Sequence, residues 1–207
     1  MTLYHARFSG NSHRVHLMLS LLGLPFREVE IDLFKGEHKQ PPFLGLNPWG
    51  RVPVLADDGL VIRDSLAILV YLAEKYGDDG WYPKEPVERA AVSEWLGIAG
   101  DDVVRGPGVA MLTKLLGDYV KADYDDALKR AYTLLKIMDA HLTGRDWLAS
   151  DRPTIADVAC YCYVASAPKG GIDLAPYAQV RQWLRRVEGL SGFVPFINAV
   201  PAGSAAA

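Results

Sequence analysis

The stretch that decides the fold reads Asn47-Pro48-Trp49-Gly50-Arg51-Val52-Pro53-Val54-Leu55. Proline lacks a backbone N–H and restricts the residue before it, so Pro53 marks the entry to the apolar strand that follows. An X–Pro bond is also the one common location for a cis peptide. Asp64 and Ser65 come one short hairpin later and open an apolar helix, whose N-terminus favours an anion. Together these motifs predict an unusual backbone at Pro53 close to a helix start that suits an anion.

The residues before this stretch predict a strand, a helix and a second strand. Strands are expected at 3–7 and 26–32, because the second of these alternates apolar and polar residues. The helix between them is expected at 13–22, with Ser12 as its N-cap and Gly23 as its stop. Because a helix connects the two strands, we expect a right-handed parallel β-α-β unit.

The residues after it predict a β-hairpin and a further helix. Two apolar runs flank Asp58-Gly59, which is a strong hairpin signal. The apolar segment 65–76 then predicts a helix that ends at Gly77. The order β-α-β, loop, β-β-α is the thioredoxin-like arrangement, in which a cis-proline before the third strand leaves the preceding backbone N–H and C=O free to pair with a bound peptide.

The second half of the chain is predicted to be helical throughout. Residues 78–85 lack periodicity and are expected to form a linker. Gly106-Pro107-Gly108 should break or kink a helix. Thr154 and Asp157 form a capping box in which Asp replaces the more usual Glu. The predicted helical segments are 87–104, 109–117, 123–142, 154–167 and 177–188.

Composition limits the classes of function. The chain has 207 residues, half of them hydrophobic, and a formal net charge of −3. This size permits one large or two small domains with a sizeable core. The charge argues against general nucleic-acid binding, and no apolar stretch has the length of a membrane span. The sequence enters a strand pattern at once, which predicts no signal peptide.

The cysteines and histidines indicate neither a redox centre nor a metal site. Cys160 and Cys162 are the only cysteines. Two positions apart on a helix they point to different sides, so we expect buried free thiols and a reducing, cytoplasmic location. His13 and His16 could share a helix face, but no acidic or cysteine ligand accompanies them at a recognisable spacing. His13 could instead tune a nearby thiolate.

Four segments together resemble a cytosolic glutathione S-transferase over nearly the whole chain. They are 9–15, 47–55, 64–68 and 154–157, and their order and spacing carry the likeness rather than any one of them. The resemblance is to bacterial members with a serine near the N-terminus, of the theta, delta or nu type. It implies a thioredoxin-like α/β domain and an all-helical C-terminal domain.

The domain boundaries that follow are 1–77 for the glutathione-binding domain, 78–85 for the linker and 86–202 for the helical domain. The resemblance also implies glutathione as co-substrate, a hydrophobic electrophile, detoxification and a homodimer. Its serine-type members stabilise the glutathione thiolate with a serine that corresponds to Ser9. Ser12, Asn11 and a backbone N–H remain alternatives for that role. The first domain contains no cysteine, which excludes the cysteine-type members.

The remaining glutathione-binding residues also follow from the resemblance. Val52, held by Pro53, would pair its backbone with the cysteinyl group. Asp64 would accept from the α-ammonium group of the γ-glutamyl end, and Ser65 would donate to its carboxylate. Asp64 stands where Glu or Gln is usual, and its reach is shorter. The candidates for the glycyl carboxylate and its surroundings are His38, Lys39 and Arg51, since cations suit that group.

The electrophile site is expected between the domains. Its candidate wall residues are Phe8, Val103, Arg105, Met111 and Tyr163, although aromatic and Met positions are more often core than pocket. The electrophile cannot be named from these residues. Alternatives to transfer are a glutathione-dependent isomerase, dehalogenase or peroxidase, and a non-catalytic binding module on the same fold.

Overall fold

A four-stranded mixed sheet with helices packed on it forms the N-terminal half of the computed structural model, which describes residues 1–196. The strand order is β2-β1-β3-β4, with β1 and β2 parallel and the other neighbours antiparallel. This is the predicted thioredoxin-like arrangement. The elements are β1 (Thr2–His5), α1 (Gly10–Leu21), β2 (Arg27–Glu30), α2 (Pro41–Leu46), β3 (Val54–Asp57), β4 (Leu60–Arg63) and α3 (Ser65–Tyr76).

The start of α1 differs from the prediction. The helix begins at Gly10, and its N-cap is Ser9, not Ser12. Ser9 has an extended backbone, and its hydroxyl oxygen accepts from the Ser12 N–H at 3.2 Å. The Ser12 hydroxyl accepts instead from the Ala6 N–H at 3.3 Å. Both serines suit an N-cap, and the tertiary contact to Ala6 occupies the second one.

The β3–β4 hairpin and α3 follow the prediction. Asp58 and Gly59 both have positive φ, 50° and 79°, as a tight hairpin turn with two left-handed residues requires. The hairpin pairs Leu55 with Ile62 and Val54 with Arg63. Helix α3 then ends at the predicted residue, because the chain after it becomes extended at Gly77.

Helices and their connecting loops make up the second half of the described chain, and the last helix ends at Glu188. The predicted break at Gly106-Pro107-Gly108 is a π-helical turn, Val104–Gly108, that joins two helices. A side chain at Gly106 would lie 2.9 Å from the Ala131 nitrogen, so the turn packs directly on the backbone of a neighbouring helix. Residues 197–202 of the predicted second domain lie outside the described residues. The helices are α4 (Pro86–Gly100), α5 (Val109–Leu116), α6 (Tyr124–His141), α7 (Ile155–Ala165) and α8 (Ala178–Glu188).

The predicted capping box opens α7, the central helix of this half. The fully buried Asp157 carboxylate accepts from the Thr154 N–H at 2.9 Å and completes the box. It also accepts from the Leu148 N–H at 3.0 Å and from the Trp183 indole N–H at 2.8 Å. One side chain therefore joins the start of α7, the loop before it and α8.

The two cysteines lie inside α7, and both are free and buried. Burial raises the pKa of the Cys160 thiol to about 12. The positive charge of nearby Arg14 lowers this pKa, but its effect is smaller than that of burial. Both thiols are therefore inert in the protonated form. Within residues 1–196, no helix combines the length and the apolar character needed to cross a bilayer.

Removal of the Asp157 carboxylate should destabilise the chain more than removal of the capping hydroxyl. Thr154→Ala loses one cap and should cost about 1 kcal/mol. Asp157→Ala leaves three buried N–H donors without an acceptor and should cost about 3 kcal/mol or more. Urea unfolding measures both, with Asp151→Ala, at an exposed carboxylate in the same loop, as control. An Asp157→Ala variant as stable as that control would contradict this role.

Candidate functional site

A cavity of about 500 Å³ opens where the sheet, the start of α3 and the end of α4 meet. Val52, Pro53, Asp64 and Ser65 line it from the first half of the chain. Gly100 and the following π-helical turn line it from the second half. The structure thus brings the two motifs that the sequence singled out into one cavity, at the boundary between the two halves.

The Val52–Pro53 peptide bond in this cavity is cis. Strand pairing begins only at Val54, which lies opposite Tyr4. Neither the N–H nor the C=O of Val52 has a hydrogen-bond partner within residues 1–196. Both groups are therefore free for a ligand with a complementary peptide edge.

The loop before Val52 is held by Asn47, which is almost fully buried. Its amide donates to the Arg51 carbonyl at 2.7 Å, and its oxygen accepts from the Trp49 N–H at 3.1 Å. Gly50 closes the turn with φ 57°. Lys39 packs against this loop and donates to the carbonyls of Trp49 and Gly50, at 3.3 Å and 3.0 Å. The Lys39 ammonium group is therefore engaged by the loop and does not line the cavity.

His38 lies beside the same loop and does not line the cavity either. Its Nδ1 atom is buried without a hydrogen-bond partner. Burial lowers the pKa of His38, and the neighbouring Lys39 adds to that effect. Arg51 is exposed and lines the cavity. Of the three predicted cationic residues, only Arg51 therefore faces the space where a ligand would lie.

Asp64 forms the opposite end of the cavity and is the N-cap of α3. One carboxylate oxygen, Oδ1, accepts from the N–H groups of Leu66 and Ala67 at 2.8 Å and 3.2 Å. The other oxygen, Oδ2, has no partner within residues 1–196. The backbone of Asp64 has φ 74°, a left-handed conformation that is unfavourable for a residue with a Cβ and is common at functional sites. The cap thus holds the free carboxylate oxygen in a fixed place.

Ser9 and Ser12 both belong to the first turn of α1, but their surroundings differ. Ser9 is half-buried next to the cavity-lining Asn11, but it does not itself line the cavity. Ser12 and His13 line a second cavity, of about 350 Å³, on the far side of the helix. Burial lowers the pKa of His13 to about 4, so it is neutral near pH 7. The structure therefore separates Ser12 and His13 from the residues with which the sequence grouped them.

Most of the predicted electrophile wall belongs to the core. Val103, Met111 and Tyr163 are buried, which leaves them little surface for a ligand. Phe8 is also mostly buried, and its ring packs on Phe34 with centroids 5.2 Å apart. Arg105 is exposed and forms an ion pair at 2.5 Å with Asp101, four residues earlier in the chain. Apolar residue type alone could not distinguish core from pocket here.

Two charged residues of the cavity were not predicted from the sequence. Arg14 is buried and lines the cavity, and Arg63 lines it while donating to the Leu46 carbonyl at 2.7 Å. The role of Arg14 depends on its contacts with Ala99 and Ala159, which are 85 and 145 positions away in the sequence. No local sequence pattern reveals such contacts. For Arg63 the available signal was its place immediately before Asp64.

Comparison with known proteins agrees with this geometry. The glutathione S-transferase N-terminal domain model matches residues 8–75, and the glutathione S-transferase C-terminal domain model matches residues 77–190. This chain belongs to the glutathione S-transferase family. It is 32% identical to glutathione S-transferase theta-2 of Rattus norvegicus over 200 residues, which cover 93% of this chain and 82% of the rat protein.

Solved structures of bacterial relatives have the same fold. A glutathione S-transferase of Pseudomonas fluorescens superposes with a TM-score of 0.88 at 32% identity, covering 95% of this chain and 98% of the other. A possible glutathione S-transferase of Rhodopseudomonas palustris gives a TM-score of 0.84 at 36% identity, with 97% and 98% covered. The chain is therefore a transferase that uses glutathione, and the expected family, fold and enzyme class are confirmed.

Proposed function

We propose that glutathione lies in the 500 Å³ cavity with its cysteinyl backbone against Val52. The observation that carries this placement is the free N–H and C=O of Val52, positioned between two sets of polar groups. A peptide bonded there in an antiparallel manner would satisfy both groups. Its two ends would then extend toward the start of α3 on one side and toward Arg51 on the other.

The γ-glutamyl end fits the start of α3. Helix N-termini attract anions because their first N–H groups are unpaired. Ser65 offers its hydroxyl and its N–H to a carboxylate, while the free Oδ2 atom of Asp64 offers an acceptor to the α-ammonium group. The capping hydrogen bonds of Oδ1 also fix the position of Oδ2. We therefore propose that Asp64 fills its predicted role although its side chain is short.

The glycyl end fits the loop at 47–51. Arg51 can bind a carboxylate with two parallel N–H donors. Lys39 and His38 belong to the outer part of this end, where Lys39 adds positive charge while it holds the loop. We therefore assign the glycyl carboxylate first to Arg51 and retain the other two as supporting residues.

The thiol of the bound peptide must become a thiolate, and we assign Ser9 to that step. A free thiol with a pKa near 8.5 is only about 3% ionised at pH 7. Lowering that pKa by about two units requires about 2.7 kcal/mol of preference for the anion. A hydrogen bond to a charged acceptor supplies about 1.5–3 kcal/mol, and a helix N-terminus adds about 0.3–1 kcal/mol. Ser9 accepts from the Ser12 N–H, so its own hydroxyl hydrogen is available.

The thiolate would attack a hydrophobic electrophile that enters from the helical half. The reaction is displacement or addition at the electrophilic carbon, with the thiolate as the nucleophile and no metal needed. Val104 and Leu66 line the cavity on that side and replace most of the predicted wall. We further propose a homodimer, cytoplasmic location and a detoxifying role. Two-fold assemblies are common, and free buried cysteines suit a reducing compartment.

Asp64→Asn should weaken glutathione binding while it leaves the fold intact. Asparagine also caps helices well. The free energy of unfolding, measured in urea, should therefore change by no more than about 0.5 kcal/mol. The loss of the negative charge opposite the α-ammonium group should raise the calorimetric Kd for glutathione about tenfold. Asp58→Asn is the matched control, because Asp58 also has positive φ but lies in the exposed hairpin turn. Equal Kd values for the two variants would remove Asp64 from the site.

Ser9→Ala should lower turnover more than it lowers glutathione affinity. The variant loses the hydroxyl donor, and steady-state kcat with a chlorodinitrobenzene substrate should fall at least tenfold. Ser9→Thr keeps both the hydroxyl and the N-cap, so it should restore most of the activity. Because Ser9→Ala also removes a helix cap, urea unfolding accompanies the kinetics. Full activity in Ser9→Ala would transfer the role to another donor.

A further inference from the structure

Arg14 is a buried cation for which the described residues provide no carboxylate. Its side chain is 1% exposed. The guanidinium donates to two main-chain carbonyls of the second half, Ala159 at 2.6 Å and Ala99 at 2.7 Å. It also donates to Asn11 Oδ1 at 2.7 Å and to Ser65 Oγ at 3.3 Å. No carboxylate within residues 1–196 lies at ion-pair distance from it. Four neutral oxygens hold the charge instead.

Burying an unpaired charge is costly, and hydrogen bonds to neutral groups offset only part of the cost. Arg14 also lines the cavity in which the proposed function places an anionic peptide. Arg14 has no carboxylate partner within residues 1–196. The anionic ligand would therefore bring negative charge close to this buried positive charge. A purely structural link between the two halves would not require a charged group.

The contacts of Arg14 also set the direction of two other side chains. A guanidinium can only donate, so the oxygen of Asn11 must face Arg14. The Asn11 amide NH₂ then faces the other way, and it has no partner within residues 1–196. In the same manner Arg14 occupies the Ser65 oxygen and leaves the Ser65 hydroxyl hydrogen free. Both residues line the cavity, so one guanidinium aims two donors at the ligand.

The start of α1 faces the second half of the chain at Tyr163. Burial raises the pKa of Tyr163 to about 12, and the backbone N–H groups of Gly10 and Asn11 act in the opposite direction. The Tyr163 ring in turn lies 5.6 Å from the Arg14 guanidinium carbon. The first turn of α1 thus packs closely against the second half of the chain, while Asn11 lines the cavity.

We propose that Arg14 is a positioning residue that aligns both ends of the glutathione site and couples them to the second half of the chain. Through Asn11 it acts at the thiol end, and through Ser65 it acts at the γ-glutamyl end. Its anchors on Ala99 and Ala159 make that alignment depend on how the two halves pack. This inference rests on the proposed placement of glutathione in the cavity.

The test compares Arg14→Lys with Arg89→Lys in the full-length chain. Lysine keeps the charge but cannot donate in four fixed directions. Calorimetry gives the glutathione Kd, and the ultraviolet absorbance of the thiolate as a function of pH gives the apparent pKa of the bound thiol. Arg14→Lys should weaken binding about tenfold and raise that pKa by about one unit. A merely structural role would change the urea midpoint without moving the thiol pKa.

Arg89→Lys is matched because Arg89 also links the two halves through main-chain and side-chain oxygens. It donates to the Pro83 carbonyl at 2.8 Å and to Glu74 of α3 at 3.0 Å, outside the cavity lining. It should leave both the Kd and the thiol pKa unchanged. If Arg14→Lys does the same while the wild type binds glutathione, the assignment of Arg14 is overturned and the proposed function stands.

A second variant covers the case in which Arg14→Lys does not fold. Asn11→Ala leaves Arg14 in place and removes only the amide, so it should raise the pKa of the bound thiol by about one unit. An unchanged thiol pKa in a folded Asn11→Ala protein would overturn the proposal. If the wild type itself fails to bind glutathione, the proposed function fails and this inference fails with it.

Discussion

The site depends on how closely the first turn of α1 approaches α7. A Cβ on Gly10 would lie 2.5 Å from the Tyr163 ring, and one on Gly108 would lie 3.2 Å from the same ring. Only glycine at position 10 allows the helix to pack at this distance. Ser9, Asn11 and the Arg14 guanidinium all take their places from that contact. The chemistry proposed for the N-terminal half is therefore positioned by a side chain of the C-terminal half.

Both halves of the chain also contribute residues to the cavity. Its polar groups for a peptide backbone and an anionic end come from Val52, Asp64 and Ser65, which the sheet and α3 hold. Its far wall comes from the end of α4 and the π-helical turn. The unfavourable backbone of Asp64 is maintained by its two capping hydrogen bonds. A cavity assembled across a boundary in this way has room for a second substrate beside the proposed glutathione.

Local signals were sufficient for the fold. Helix α3 was predicted to the residue, because Asp64 and Gly77 mark the ends of a continuous apolar run. The hairpin followed from Asp58-Gly59, the helical second half from its lack of strand-like alternation, and the start of α7 from the capping box. The start of α1 was predicted three residues late, because Ser9 and Ser12 are equally suited as caps and only the contact with Ala6 distinguishes them.

The site was only partly predictable. The motifs around Val52 and Asp64 were found because backbone chemistry leaves a sequence signature at Pro53 and at a helix start. The electrophile wall was not found, because Met111 and Tyr163 look the same in sequence whether they face a pocket or the core. Arg14 was missed since its partners are distant in sequence and include main-chain carbonyls, which any residue can provide.

Calorimetric titration of the wild-type protein with glutathione, and in parallel with cysteinylglycine, shows whether the cavity binds glutathione as proposed. Cysteinylglycine keeps the groups that would meet Val52 and Arg51 but lacks the end assigned to Asp64 and Ser65. We expect saturable binding of glutathione at one site per chain and binding of cysteinylglycine at least tenfold weaker. Equal affinity for the two peptides, or no heat with millimolar glutathione, would contradict the placement of glutathione in this cavity.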